Sequence, residues 1–315
     1  MKKIKAGTIF DPNCGRNDGA PLYMLESMKR NKDVSVDLYR PVGDINLWPK
    51  YDFYLWVDFA DDALGFQDFP MPENTFFWSS DYHISPESYA HRLKRAKQAR
   101  WIGCYQKRNV EEFIKDGIPE DRIFWLPPAF EPSCYRPGLF KPEVKDMGLP
   151  IGEHGWIDCD VMKRYDICFI GHINNPKRAD ALDYVFKQIP NFFYGTKIFE
   201  KCAMIYNQSK IVFNIAHLDD VNMRVPEVLG TRSFLLTEDI PTLHELYQDG
   251  VHLVTYKSLE DAVEKAKYYI EHDEEREKIA SAGYELAKSR DTYDHRLETI
   301  LKYTELYERE LVEAI

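Results

Sequence analysis

The chain has no Cys-x-x-Cys pair: its six cysteines stand scattered at 14, 104, 134, 159, 168 and 202. That spacing argues against a zinc site or a disulfide framework and fits reduced thiols, so a cytoplasmic setting is expected. There is no run of about 18 apolar residues, so no helical membrane span is expected. Met1-Lys-Lys-Ile-Lys5 is basic, but no long apolar stretch follows, so no signal peptide is expected. Positive charge is in short supply, with 41 Lys and Arg against 52 Asp and Glu and a net charge of −11. This balance is against a broad nucleic-acid-binding face, although a local basic groove stays open. What the chain does have is core-forming material: 315 residues with 44% hydrophobic and 14% aromatic content. A single core rarely grows past about 250–300 residues, so two domains are expected.

Short apolar runs alternate with helical periodicity in both halves. Strands are predicted at 4–10, 34–39, 52–57, 74–79, 100–105 and 122–126, with helices at about 20–30, 85–97 and 110–116. Six prolines between 127 and 150 then break the pattern and mark a linker. Alternation resumes with strands at 165–171, 191–194, 210–215, 233–237 and 251–256. Helices are predicted at 178–188, 198–207, 222–230, 259–272, 274–288 and 293–310. Such alternation implies α/β domains with mostly parallel sheets.

Several residues could carry chemistry. Phe169-Ile-Gly-His-Ile-Asn-Asn-Pro-Lys-Arg178 ends a strand, turns at Gly171 and enters a helix, which places Lys177 and Arg178 near its first turn. A helix start with cations suits a phosphate, and a solvated pair on an ordinary turn is the alternative. His172 would touch that phosphate or cap the turn. Arg224 and Glu227 share a helical face, so one can reach phosphate and the other a ribose diol; a salt bridge along the helix is the alternative. Asn222 would cap this helix or touch the ligand. Tyr194-Gly195-Thr196 ends a strand, where Tyr194 or Tyr206 could offer a face to a nucleobase or simply join the core. In the first half, Asp81 and His83 follow a strand, and an imidazole oriented by a carboxylate suits general-base work. Asp58, Asp61 and Asp62 form another acidic cluster, which loop capping explains equally well. Asp11-x-Asn13-x-Gly15 fails as a calcium loop because Leu22 stands where the closing Glu belongs. Asp158-Cys-Asp160 matches the Asp-x-Asp of metal-dependent transferases but lies in the proline-rich connector.

The stretch from Asn222-Met-Arg-Val-Pro-Glu227 through Gly230, His244-Glu245 and Asp249-Gly250 to Thr292-Tyr-Asp-His-Arg296 resembles the sugar-nucleotide half of GT-B glycosyltransferases. It is most similar to the CgeB-like (spore maturation protein), glycosyl transferase family 1 type, and the match is clearest from 165 to 296. The resemblance implies two Rossmann-like parallel-sheet domains facing a central cleft. These would be an acceptor-side domain at 1–135, a linker at 136–164 and a donor domain at 165–292. A terminal helix at about 293–315 would pack back on the first domain. It implies transfer of a sugar from a UDP-, GDP- or dTDP-linked donor, without a metal or other cofactor. The acceptor would be a glycan, protein, small molecule or nucleic acid. Donor contacts would come from Gly171, His172, Lys177, Arg178, Tyr194, Asp219, Asn222, Arg224 and Glu227. Asp219 lies eight residues before Glu227, echoing the Glu-x7-Glu spacing of many retaining members with Asp in place of the first Glu. Asp18 and His83 would be the catalytic candidates, and Gly15, Gly19 and Asp81 would line the acceptor-side loops. The rivals are a nucleic-acid base glycosyltransferase, a catalytically silent sugar-nucleotide-binding protein, and a periplasmic-type two-domain binding protein, which the missing export signal disfavours.

Overall fold

A computed structural model of the chain describes residues 3–9, 19–39, 48–57, 70–79, 86–138, 163–173, 176–196, 200–216 and 220–306. The chain divides into two compact units, Met1–Pro128 with Tyr293–Ile315, and Ala129–Thr292.

In the first unit six strands, β1 (Ile4–Ile9), β2 (Val34–Tyr39), β3 (Phe53–Val57), β4 (Thr75–Ser79), β5 (Trp101–Cys104) and β6 (Ile123–Trp125), form a parallel sheet ordered β2-β1-β3-β4-β5-β6. The central β3 and β4 read Phe-Tyr-Leu-Trp-Val and Thr-Phe-Phe-Trp-Ser and are buried along their whole length. Continuous apolar runs are what a strand covered on both faces requires. Helices α1 (Ala20–Arg30), α2 (Pro86–Gln98) and α3 (Lys107–Lys115) flank the sheet. Gly117, at φ 98°, stops α3, and the Ile118 N–H then bonds back to the Phe113 carbonyl at 2.9 Å.

The second unit repeats the architecture. Strands β7 (Tyr165–Ile170), β8 (Phe192–Gly195), β9 (Ser209–Asn214), β10 (Phe234–Glu238) and β11 (Val254–Tyr256) form a parallel sheet ordered β11-β10-β9-β7-β8. Helices α4 (Pro176–Gln188), α5 (Glu200–Asn207), α6 (Arg224–Gly230), α7 (Pro241–His244), α8 (Leu259–Glu271) and α9 (Asp273–Arg290) connect and cover it. Its core joins Ile167, Phe169, Ile211, Phe213, Phe234 and Leu236 of the sheet to Leu182 and Val185 of α4 and to Ala262 and Ala266 of α8. The last helix, α10 (Tyr293–Tyr303), belongs to the first unit. Arg296 bonds the carbonyls of Pro127 and Pro128 at 2.7 and 3.1 Å, and Asp294 pairs with Arg30 of α1 at 2.8 Å. Among the described residues no helix is long and apolar enough to cross a membrane.

Four boundaries differ from the sequence reading. Residues 129–135, expected in the first domain, cluster with the second unit. The Phe130 N–H bonds the Asp291 carbonyl at 2.9 Å, and its ring lies against Gly230. The strand expected at 251–256 begins only at Val254, because Gly250 (φ 72°) and the Asp249 side chain close a turn onto Leu253 and Thr255. The helix expected at 222–230 starts at Arg224. The terminal helix stops at Tyr303, and Glu305 takes a positive φ of 58°.

Both sheets place their first strand between the second and the third, so the strand order reverses at β1/β3 and at β7/β9. Such switch points leave a crevice at the carboxyl ends of the strands. In the second unit, α9 reaches the sheet side closely at Gly283. A Cβ there would overlap the His252 carbonyl oxygen and stand 2.8 Å from Leu229 Cδ2. Gly283→Ala is therefore expected to destabilise the protein by about 1–3 kcal/mol, measured by chemical denaturation; an unchanged midpoint would refute this seating of α9.

Candidate functional site

The β7/β9 switch point carries the residues that matter most. Strand β7 ends at Ile170 and turns at Gly171, while β9 ends at Asn214. Helix α4 begins just after the first strand, and α6 begins after the second with Arg224 as its first residue.

The Arg224 side chain does not lie along its own helix. It crosses to the strand ends, where Nε donates to the Ile170 carbonyl at 3.0 Å and Nη2 donates to the same oxygen. Its Nη1 donates to Asn214 Oδ1, and the guanidinium carbon stands 4.5 Å from the Phe169 ring centroid. Gly171 makes this path possible, since a Cβ there would overlap Arg224 Nη2. Arg224 and Glu227 form no ion pair, so the helix-face salt bridge left open by the sequence is absent. Glu227 is instead buried, at 8% exposure, on the inner side of α6.

Arg178 joins from the first turn of α4. Its Nη1 donates to the His172 carbonyl at 2.9 Å, and its guanidinium stands 5.8 Å from the same Phe169 ring. Burial lowers its pKa from the ordinary arginine value, and the neighbouring positive charge of Arg224 lowers it further. The Glu238 carboxylate, at the end of β10, opposes that shift. Glu238 pairs directly with Lys177, Nζ to Oε1, at 2.9 Å, and the lysine side chain is 71% exposed. Two guanidiniums and an ammonium thus gather beside a helix start, the chemistry expected of a site for a multiply charged anion.

Asn222 does not cap α6. Its Nδ2 donates to Asn214 Oδ1 at 3.0 Å, and α6 has no side-chain cap. Tyr194, one residue before the end of β8, is 45% exposed with its ring stacked at 6.3 Å on Phe169, so it remains available to a flat ligand. Tyr206, weighed with it, is 2% exposed, and burial raises its pKa well above the ordinary tyrosine value. It therefore offers no open face to a base. The His172 side chain is exposed, and only its carbonyl takes part in holding the site. Gly19 precedes α1 in the other unit, with φ 114°, and its carbonyl accepts the Tyr23 N–H at 3.2 Å. Gly15, Asp18, Asp81, His83 and Asp219 lie outside the described residues, as do Asp58, Asp61, Asp62, Asp158 and Asp160.

Sequence reasoning missed Asn214, Glu238 and Phe169. Each had a signal: a polar residue closes the apolar runs Ile-Val-Phe-Asn214 and Leu-Leu-Thr-Glu238, and Phe169 sits two residues before the turn. Parallel strands end together at the active edge, so polar residues closing adjacent strands become neighbours. The register pairs Thr237 with Asn214.

Residues 188–302 match the family described as glycosyl transferase-like. No curated protein matches the chain. Among solved structures, the chain is similar to HepE of Anabaena in complex with UDP and glucose, at 12% identity and a TM-score of 0.58, covering 98% of this chain and 100% of that one. It is similar to sucrose-phosphate synthase of Thermosynechococcus elongatus, at 9% identity and a TM-score of 0.60, with 98% and 100% covered. A glycosyltransferase of Rickettsia africae matches at 11% identity and a TM-score of 0.58, with 97% and 98% covered. The chain therefore has the GT-B fold, and its residues 188–302 are similar to the glycosyl transferase-like family, in line with the resemblance seen around Arg224 and Glu227; the narrower CgeB-like branch is not distinguished by these matches.

The close passage at Gly171 yields a direct test. Gly171→Ala should push the Arg224 guanidinium off the Ile170 carbonyl, costing about 1–3 kcal/mol for the lost charge-assisted bonds. A crystal structure of the variant with Arg224 still bonded to Ile170 would contradict this.

Proposed function

We propose that this protein transfers a hexose-type sugar from a nucleoside-diphosphate donor to an acceptor, with the donor seated on the second unit. The observation that carries this reading is the pair of guanidiniums, Arg224 and Arg178, converging on one aromatic ring at the β7/β9 switch point. In the reaction the bond from the anomeric carbon to the β-phosphate oxygen breaks, and a bond from that carbon to an acceptor oxygen forms. The acceptor proton passes to a base, for which Asp18 and His83 are the candidates. The departing diphosphate gains charge, and Arg224, Arg178 and Lys177 together with the start of α4 meet it. This electrostatic stabilisation does the work a metal ion would otherwise do.

Glu227, buried on the inner side of α6 in the same short helix as Arg224, would hold the ribose hydroxyls, and Asp219 would approach the sugar. Tyr194, exposed beside Phe169, is the candidate face for the nucleobase. UDP leads GDP and dTDP as the first donor to try, because HepE of Anabaena was crystallised with UDP-glucose. The acceptor, whether glycan, protein, small molecule or nucleic acid, would be held by the first unit. The net charge of −11 places nucleic acid last among these. The scattered spacing of the six cysteines, with no Cys-x-x-Cys pair, supports a cytoplasmic setting.

A thermal-shift series with UDP-, GDP- and dTDP-sugars tests the assignment. A cognate donor at 100 times its Kd should stabilise the protein by about 2.7 kcal/mol. Arg178→Ala should retain the fold but weaken donor binding by about tenfold or more, since a hydrogen bond to a charged group contributes about 1.5–3 kcal/mol. Stabilisation by none of the three donor classes would end this reading, and binding without transfer or slow donor hydrolysis would favour the silent-binding alternative.

A further inference from the structure

Asn214 deserves a role of its own in the donor site. It is 1% exposed at the end of β9, and both its amide oxygen and its amide nitrogen are hydrogen-bonded. Oδ1 accepts from Arg224 Nη1 and from Asn222 Nδ2, while Nδ2 donates to Thr237 Oγ1 at 2.8 Å. The orientation of the amide is not arbitrary, because a guanidinium only donates and so must meet the oxygen. The backbone carbonyl of Asn214 also accepts the Tyr256 hydroxyl at 2.9 Å, which fixes the strand end itself.

Hydrogen bonding alone would be served equally well by an aspartate. A carboxylate has the same shape, would accept the same two donors, and the Thr237 hydroxyl could turn to donate to it. Its bond to Arg224 would even be stronger, being charge-assisted on both sides. What an aspartate would change is the net charge. Among the described residues Arg224 makes no ion pair, and its partners are a main-chain carbonyl, an amide and an aromatic ring, all neutral. The nearby carboxylate of Glu238 is engaged by Lys177 instead. A half-buried guanidinium without a counter-charge is an unfavourable arrangement that an anionic ligand relieves.

We infer that Asn214 is a positioning residue that clamps Arg224 through a neutral acceptor, so that the full positive charge of the guanidinium is presented to the diphosphate of the donor. This inference rests on the donor-site reading given above. It assigns the choice of amide over carboxylate at this position to electrostatics, not to packing.

The test compares calorimetric binding of UDP, GDP and dTDP to the wild-type protein, Asn214→Asp and Asn214→Ser. A purely structural role would rank the isosteric Asp above the smaller Ser. The clamp requires the reverse order: Asn214→Asp loses about tenfold or more in affinity, equivalent to about 1.4 kcal/mol, and Asn214→Ser loses less than Asn214→Asp. Asp binding as tightly as the wild type, or more tightly than Ser, overturns the inference. If circular dichroism shows that Asn214→Asp does not fold, the ionic-strength dependence of binding decides. Arg224→Gln should then flatten the salt dependence seen in the wild type, and equal slopes overturn the inference. Wild-type protein that binds none of the three diphosphates removes the donor reading and this inference together, whereas wild-type binding with an indifferent Asn214→Asp removes the inference alone.

Discussion

The second unit is organised around one constraint, a guanidinium that must cross from a helix start to two strand ends. Arg224 can reach the Ile170 carbonyl and Asn214 Oδ1 only because Gly171 has no side chain in its path. It can be held there only because the strand order reverses between β7 and β9, which leaves their carboxyl ends open to side chains. Phe169 then supplies the floor, giving both Arg224 and Arg178 an aromatic face in place of water. Three local choices of residue and one topological fact therefore act together.

The helix that carries Arg224 could not hold that position alone. Seven residues are too few for a stable isolated helix, so its order comes from packing. Six of the seven, from Val225 to Gly230, are buried. Gly230 lets the Phe130 ring approach, and Leu229 meets α9 where Gly283 leaves room. This explains why residues near 130 cluster with the second unit. Phe130 bridges to Thr292 and lies under the end of α6, so the chain entering and leaving the unit both support the helix that delivers the cation. Stability and site geometry are consequently linked through the same contacts.

The fold was largely legible from sequence, because buried parallel strands read as short apolar runs between turn residues. Phe53–Val57, Thr75–Ser79 and Phe234–Glu238 are plain examples. The spacing of Arg224 and Glu227 also pointed to the right helix. Helical periodicity placed them on a shared face but carried no information about a side chain that leaves that face for another element. The two diverge in the structure: Arg224 reaches the strand ends, and Glu227 turns inward. Asn214 stayed hidden for a related reason, since an Asn closing a strand reads as a turn residue until the neighbouring strands are aligned. Tyr206 misled in the opposite direction: an aromatic in a short helix looks the same whether it faces the core or a ligand. The start of the second unit was hard to see because prolines at 127 and 128 suggest a linker further along, while the contacts of Phe130 that move the boundary are long-range.

The three cations differ in how firmly they are held, and that difference bears on how a diphosphate would be received. Arg224 is locked by neutral partners, so its charge is preformed and needs no rearrangement. Arg178 is tethered to the His172 carbonyl, half-buried, and carries a charge already disfavoured by burial and by Arg224. An incoming anion would relieve that strain directly. Lys177 is mostly exposed, and its bond to Glu238 is a surface ion pair of the kind that contributes about 0–1 kcal/mol. A phosphate can take over its ammonium at little cost. On the donor reading, recognition would begin on the fixed guanidinium and be completed by the exchangeable ammonium. Glu238 would act as the internal counter-ion that keeps the empty site from carrying three unbalanced charges.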